Sequence, residues 1–196
     1  KVGGFAEVAL SYGYTRDECE WAKQSAQFSA VLCLSQDAQT LKSVTSSLIC
    51  IDEIASNGIF ASDRVLPNVS GDVPGRLLFT SGTTSKPKCM VYSHQGRFIG
   101  ELMQRASAPV KPKQGEAIVL MTPFVHGASL ITPYWLETGG CVHLHKGVNC
   151  DIVLPLLGQP NVTAMFAPPT VLAKLVQNIK PDTHFNLNVI FTGTQA

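Results

Sequence analysis

Short apolar runs alternate with longer amphipathic or polar segments along the chain. The first amphipathic segment extends from Thr15 towards Gln27, and Thr15 with Glu18 fits a capping box that begins a helix. The apolar runs have the length and composition of buried strands. Strands are predicted at 30–34, 47–51, 76–80, 90–93, 117–121, 141–145, 162–166 and 188–191. Further helices are predicted at 37–46, 94–106, 128–137, 152–157 and 170–179.

This alternation predicts an α/β fold with largely parallel sheets covered by helices. Residues 56–75 are rich in glycine and proline, which predicts a long surface connection. Ala196 directly follows a predicted strand, at the position where parallel sheets usually begin a ligand-contacting loop. We therefore expect residues 1–196 to be one incomplete domain.

Composition narrows the function classes. Only 15% of the residues are charged, against about 25% in ordinary globular proteins. This low charged fraction indicates that the chain is part of a larger protein. A net charge of +1 with no block of like charges disfavours a nucleic-acid partner. The uncharged run 117–136 is long enough to span a bilayer, but Pro123 and Pro133 interrupt it, so no membrane span is expected. The six cysteines form no CxxC pair, which favours a reducing compartment and a cytoplasmic location.

The segment from Leu77 to His94 carries the strongest chemical signal. Hydroxyl side chains surround Gly82, and two lysines follow on either side of Pro87. Such a turn can bring hydroxyls, amides and a lysine together on phosphate oxygens. The spacing is neither GxxxxGK[ST] nor GxGxxG, which disfavours a Walker-type NTPase and a dinucleotide fingerprint. A solvated hairpin loop rich in Ser and Thr has the same composition.

Residues 80–88, TSGTTSKPK, resemble the phosphate loop of the adenylate-forming (AMP-binding) superfamily, which includes acyl-CoA synthetases and peptide synthetase adenylation domains. Residues 122–130, TPFVHGASL, and 188–196, NVIFTGTQA, resemble later segments of that family in the same order. The resemblance implies a partial N-terminal adenylation domain without the C-terminal lid domain.

The resemblance also implies an activity for the parent protein. A carboxylic acid would react with ATP and Mg²⁺ to give an acyl-adenylate and pyrophosphate. The acyl group would then pass to the thiol of coenzyme A or of a phosphopantetheine on a carrier protein. We expect the fragment itself to be inactive, because the family's magnesium-linked glutamate, ribose-binding aspartate and lid lysine would lie beyond Ala196.

Site residues follow from the resemblance alone. The β- and γ-phosphates of ATP would be bound by Thr80, Ser81, Gly82, Thr83, Thr84 and Lys88. His126 would border the acyl or adenylate pocket, and Lys88 and His126 are the catalytic candidates. The adenine would lie against Gly193, Thr194 and Gln195. Ser85 and Cys89 stand where the family commonly has glycine, which would weaken the loop if either position needs a positive φ.

The sequence alone also allows other functional hypotheses. A non-catalytic scaffold or regulatory domain could retain the fold after changes at Ser85 and Cys89. An unrelated nucleotide-binding module such as a kinase would need a different magnesium ligand and a phosphoryl acceptor site. Cys141, His143 and His145 alternate on one strand face, so zinc binding competes with ordinary strand packing. We expect packing there, and no metal site in the chain.

Overall fold

The computed structural model describes residues 4–57, 65, 67–80, 88–145 and 147–193. The chain divides into two compact units, residues 1–98 and residues 99–196. Helix α4 (His94–Ser107) carries the chain from the first unit into the second.

The first unit contains strands of two small sheets and three helices before α4. Its elements are β1 (Glu7–Val8), α1 (Arg16–Ala26), β2 (Val31–Cys33), α2 (Ser35–Leu41), β3 (Leu48–Cys50), α3 (Ile51–Asn57), β4 (Pro74–Thr80) and β5 (Lys88–Ser93). One sheet has the order β1-β4-β5, with β1 parallel and β5 antiparallel to β4. The other sheet is the parallel pair β2-β3.

Helix α1 begins as the sequence predicts. The backbone amide of Glu18 donates to the Thr15 hydroxyl, and the backbone amide of Thr15 donates to the Glu18 carboxylate. These two hydrogen bonds satisfy amides that have no partner within the first helical turn. The backbone amide and the hydroxyl of Thr15 both donate to the Glu18 carboxylate, and they lower the pKa of Glu18 because the ionised carboxylate is the better acceptor.

The second unit is a four-stranded parallel sheet with helices between the strands. Its elements are β6 (Ala117–Leu120), a π-helical turn (Phe124–Ala128), α5 (Ser129–Glu137), β7 (Cys141–Leu144), α6 (Cys150–Leu157), β8 (Val162–Phe166), α7 (Pro169–Val176) and β9 (Val189–Phe191). The strand order is β7-β6-β8-β9, and every described pairing in this sheet is parallel.

Alternate residues of β6 enter two separate hydrophobic cores. Ala117 and Val119 pack with residues of α6 and α7, whereas Ile118 and Leu120 pack with residues of α5. Because successive side chains of a strand point to opposite faces, α5 covers one face of the sheet and α6 with α7 covers the other. All four residues are fully buried, which explains the continuous apolar run in the sequence.

The predicted α/β class is confirmed, with differences in detail. The described strands form three sheets, and the β4–β5 pair is antiparallel. The sequence analysis did not predict β1 or α3. None of the helices in the described part of the chain combines the length and apolar content needed to cross a bilayer.

Candidate functional site

The predicted phosphate-binding segment begins and ends on two paired strands. Thr80 is the last residue of β4, Lys88 is the first residue of β5, and the two are direct partners across the antiparallel ladder. Residues 81–87 join them in sequence, so Ser81, Gly82, Thr83 and Thr84 lie outside the described residues, as does Ser85. Lys88 is exposed. The structure thus brings together the two described residues of the predicted set, Thr80 and Lys88.

An aromatic contact anchors β4 one residue before Thr80. The Phe79 side chain is 5% exposed, and its ring centroid lies 4.8 Å from that of Trp21 in α1, at an interplanar angle of 64°. An edge-to-face pair of this kind adds stability beyond the apolar area that it buries. The contact holds the end of β4 against α1 and so fixes where the segment after Thr80 begins.

A group of charges anchors the same sheet. The carboxylate of Glu7 in β1 lies 3.2 Å from the guanidinium of Arg97 in α4 and 3.7 Å from that of Arg76 in β4. Arg97 also donates a hydrogen bond of 3.1 Å to the carbonyl of Gly75. Burial lowers the pKa of Arg76, and the Glu7 carboxylate offsets part of that effect. No sequence pattern predicted this group of charges, because its members are distant in the chain.

Cys89 occupies a regular strand position opposite Phe79. Among the described residues, Gln27 is the non-glycine residue with a positive φ, so Cys89 does not need the conformational freedom of glycine. The condition under which a side chain would strain the loop, a positive φ, is therefore not met at Cys89. Burial raises the pKa of its thiol, which also disfavours a nucleophilic role.

His126 lies in the π-helical turn between β6 and α5. Its neighbour Gly127 packs closely against β8. A Cβ atom on Gly127 would lie 2.6 Å from the ring of Phe166 in β8, so only glycine lets the turn pack there. The His126 side chain lies outside what the structure describes, and its role stays a prediction.

The carboxyl ends of β6, β8 and β9 lie at one edge of the second sheet, because these strands are parallel. The π-helical turn with His126 follows β6, and Gly193 follows β9. The connection from β6 leads to its neighbour β7 in one direction across the sheet, and the connection from β8 leads to its neighbour β9 in the opposite direction. The direction of the connections therefore reverses between β6 and β8, and ligands of open α/β sheets bind at such a topological switch point. Gly193 is exposed, whereas Thr194 and Gln195 lie outside the described residues.

Two residues at this edge were missed in the sequence analysis. The hydroxyl oxygen of Thr122, just after β6, is buried and has no hydrogen-bond partner within the described ranges. Phe166, at the end of β8, faces Gly127 and packs against the core that contains α5. Thr122 belongs to the segment TPFVHGASL, which also contains His126, but only the fold shows that the Thr122 hydroxyl is buried.

The sulfur of Cys141 lies 3.7 Å from Nε2 of His143 on β7. The predicted common face of these two residues is thereby confirmed. In the part of the chain that the structure describes, no three His, Cys, Asp or Glu side chains group as they would around a metal ion.

A family model described as AMP-binding enzyme matches residues 3–195 of the chain. The chain belongs to this family. The match covers both units, including the Thr80–Lys88 segment and both later segments that resembled the family in the sequence.

Two curated members of the AMP-binding family illustrate its range. The chain is 33% identical to probable acyl-activating enzyme 21 of Arabidopsis thaliana over 126 residues, which is 62% of this chain and 22% of the plant protein. It is 27% identical to tyrocidine synthase 3 of Brevibacillus parabrevis over 201 residues, covering all of this chain and 3% of that protein. The chain thus spans a small part of these relatives.

The AMP-binding fold is also found by structure comparison. O-succinylbenzoate coenzyme A synthetase of Bacillus subtilis, solved in complex with AMP, superposes with a TM-score of 0.76 at 20% identity. The superposition covers 96% of this chain and 48% of that enzyme. The predicted resemblance and fold are thereby confirmed.

Proposed function

We propose that the protein containing this chain activates a carboxylic acid with ATP to form an acyl-adenylate and pyrophosphate. The observation that carries the proposal is the pairing of Thr80 with Lys88, which holds both ends of TSGTTSKPK on adjacent strands. Family membership supports it independently, as does the AMP complex of the Bacillus subtilis structural relative.

The chemistry would take place at the α-phosphorus of ATP. A carboxylate oxygen forms the new bond to phosphorus, and the bond from phosphorus to the oxygen bridging the α- and β-phosphates breaks. Negative charge develops on that oxygen as pyrophosphate leaves. The Lys88 ammonium and the hydroxyls and amides of residues 80–84 would stabilise this charge, because fixed donors need no reorganisation during the reaction.

Further roles are proposed for residues of the second unit. His126 would border the acyl or adenylate pocket, and Gly193, Thr194 and Gln195 would lie against the adenine. Support comes from the shared sheet edge, since the turn containing His126 and the segment around Gly193 both follow carboxyl ends of parallel strands. The buried Thr122 hydroxyl is a further hydrogen-bonding group at this edge.

Magnesium would enter the site with ATP. Within the described ranges, His, Cys, Asp and Glu side chains form no group of three or more that could hold a metal ion. A bound ion would neutralise charge on the phosphates. We infer that residues 1–196 alone do not catalyse the reaction.

The second half-reaction would transfer the acyl group to a thiol. The thiol sulfur attacks the acyl carbonyl carbon, a thioester forms and AMP leaves. The acceptor would be coenzyme A or the phosphopantetheine of a carrier protein. Coenzyme A has support from the Bacillus subtilis structural relative, which is named a coenzyme A synthetase.

Calorimetry on the full polypeptide tests the proposal. We expect saturable binding of ATP and tighter binding of a non-hydrolysable acyl-adenylate analogue, because the analogue occupies the nucleotide and acyl subsites together. A folded protein that binds neither would be a scaffold, and the proposal would be wrong. Transfer of label from the γ-phosphate to an acceptor, with no carboxylate requirement, would instead show a kinase.

A further inference from the structure

Two cysteines of the first unit are direct neighbours in a sheet. Cys33 is the last residue of β2, Cys50 is the last residue of β3, and the two are partners in the parallel ladder. Neighbouring strands lie about 4.8 Å apart, and disulfides join Cα atoms that are roughly 4.4–6.8 Å apart. Partners in register also point to the same face of a sheet. The backbone therefore meets the two main requirements for a disulfide.

The exposure of the strands shows which face the two thiols share. Leu32 and Ile49 are exposed on one face, whereas Cys33 is 8% exposed and Cys50 is half-buried on the other. Cys33 also borders a cavity of about 1250 Å³ in the first unit. Cys50 has the larger exposed fraction of the two residues, so its thiol is the more accessible one to an oxidant in bulk solution, whereas Cys33 is reached through the cavity.

The segments after the two cysteines are tied to each other. The backbone amide of Ser35 donates to both carboxylate oxygens of Asp52, at 3.0 and 3.3 Å, and the Ser35 hydroxyl donates to Glu53 at 2.9 Å. These hydrogen bonds link the starts of α2 and α3, immediately beyond the carboxyl ends of β2 and β3. They limit how far Cys33 and Cys50 can separate.

We propose that Cys33 and Cys50 form a reversible disulfide when the protein meets a low-molecular-weight disulfide such as oxidised glutathione. The Cys50 thiolate attacks one sulfur of oxidised glutathione, a mixed disulfide forms and one glutathione thiolate leaves. The Cys33 thiolate then attacks Sγ of Cys50, the protein disulfide forms and the second glutathione leaves. The two protein thiols lose two electrons and two protons, and oxidised glutathione gains them as two thiols.

The surroundings of Cys33 govern the second step. Burial is the largest cause that raises the pKa of the Cys33 thiol. The charge and hydrogen bond of Cys50 raise it further, as do the carboxylates of Asp37 and Asp52. The thiolate is the attacking species, so Cys33 stays mostly protonated in neutral solution and closes the disulfide slowly. The disulfide should therefore form more slowly than the mixed disulfide at Cys50.

Thiol trapping on the full polypeptide tests the proposal. The protein is equilibrated with mixtures of reduced and oxidised glutathione, alkylated, digested and analysed by mass spectrometry. We expect a peptide pair joined through Cys33 and Cys50 that appears with oxidised glutathione and disappears with dithiothreitol. Because the bond closes a loop between β2 and β3, the oxidised protein should melt roughly 5 °C higher than the reduced protein.

Matched variants separate this disulfide from other oxidation. Cys141→Ser removes an exposed cysteine of the second unit and should leave both the joined peptide and the rise in Tm unchanged. Cys50→Ser should abolish both, and Cys33→Ser should leave glutathione attached to Cys50. Glutathione persisting on Cys50 of the unsubstituted protein, or a different cysteine pair in the joined peptide, would overturn the proposal without any variant.

Discussion

Thr80 and Lys88 face each other across two antiparallel strands, so the ends of the segment between them are fixed relative to each other. Phe79 and its contact with Trp21 fix the same end of β4 against α1. Fixing both ends of a binding segment reduces the conformational entropy that is lost when a ligand binds. The β4–β5 pair is thus the described structure on which the proposed phosphate binding would depend.

Replacing Cys89 with the glycine common in the family should not improve ATP binding. Cys89 sits in a regular strand without a positive φ, so glycine relieves no strain there. It should instead lower the free energy of unfolding by roughly 0.5–1 kcal/mol, because glycine weakens strand interiors. Urea unfolding and ATP calorimetry of Cys89→Gly measure both effects. A marked gain in ATP affinity would contradict the account of this position.

Truncating the Phe79 side chain should destabilise the end of β4, where the predicted phosphate-binding segment begins. Phe79→Ala should cost about 3 kcal/mol of unfolding free energy, because a buried aromatic side chain is lost. Phe79→Leu keeps most of the apolar volume but loses the ring contact with Trp21, and should cost about 1 kcal/mol. Urea unfolding of both variants tests this. Equal stability of all three proteins would show that the contact does not hold β4.

A methyl group at Gly127 should disturb the turn that contains His126. The new Cβ would lie 2.6 Å from the Phe166 ring, so Gly127→Ala should cost roughly 1–3 kcal/mol through overpacking. Adding Phe166→Leu should restore part of this loss. Gly100→Ala is the matched control, since nothing lies within 4 Å of its Cβ and alanine favours the helix. Thermal melts of these three variants and the unsubstituted protein measure the effects, and a neutral Gly127→Ala would contradict the account.

The Glu18 capping contact should make stability depend on pH. The native pKa of Glu18 is lowered, so its contribution is present above the unfolded pKa of about 4.3 and is lost as the pH falls through the native pKa. Glu18→Gln should therefore melt below the unsubstituted protein at pH 7, and the gap should narrow in acid. Asp182→Asn controls for the loss of one charge. A gap that stays constant with pH would contradict this assignment.

Patterns local in sequence predicted most elements of the fold. The apolar runs identified β6 and β8 because both strands are almost entirely buried, and Thr15 with Glu18 identified the start of α1 because the capping contacts lie within one turn. β1 was missed because two residues carry no periodicity. Its pairing with β4 is accompanied by ion pairs from Glu7 to Arg76 and Arg97, which join distant parts of the chain.

In the candidate site, too, local sequence patterns predicted some features, whereas features that depend on packing between distant residues were missed. Residues 80–88 and 122–130 were found because each forms a continuous segment that resembles the family. The close packing of Gly127 in the π-helical turn against Phe166 at the end of β8 was missed because the two residues are distant in the chain. The buried Thr122 hydroxyl likewise follows from packing rather than from residue type.

Carboxylate-dependent exchange of labelled pyrophosphate into ATP tests the central claim most directly. The full polypeptide should catalyse this exchange with its acid substrate, and Lys88→Met should reduce the rate by about 10²–10³-fold, since a preorganised donor to the leaving group is lost. Lys180→Met, at an exposed lysine after α7, should retain the full rate. Unchanged exchange in a folded Lys88→Met protein, or no exchange by the unsubstituted protein with any carboxylic acid, would contradict the account.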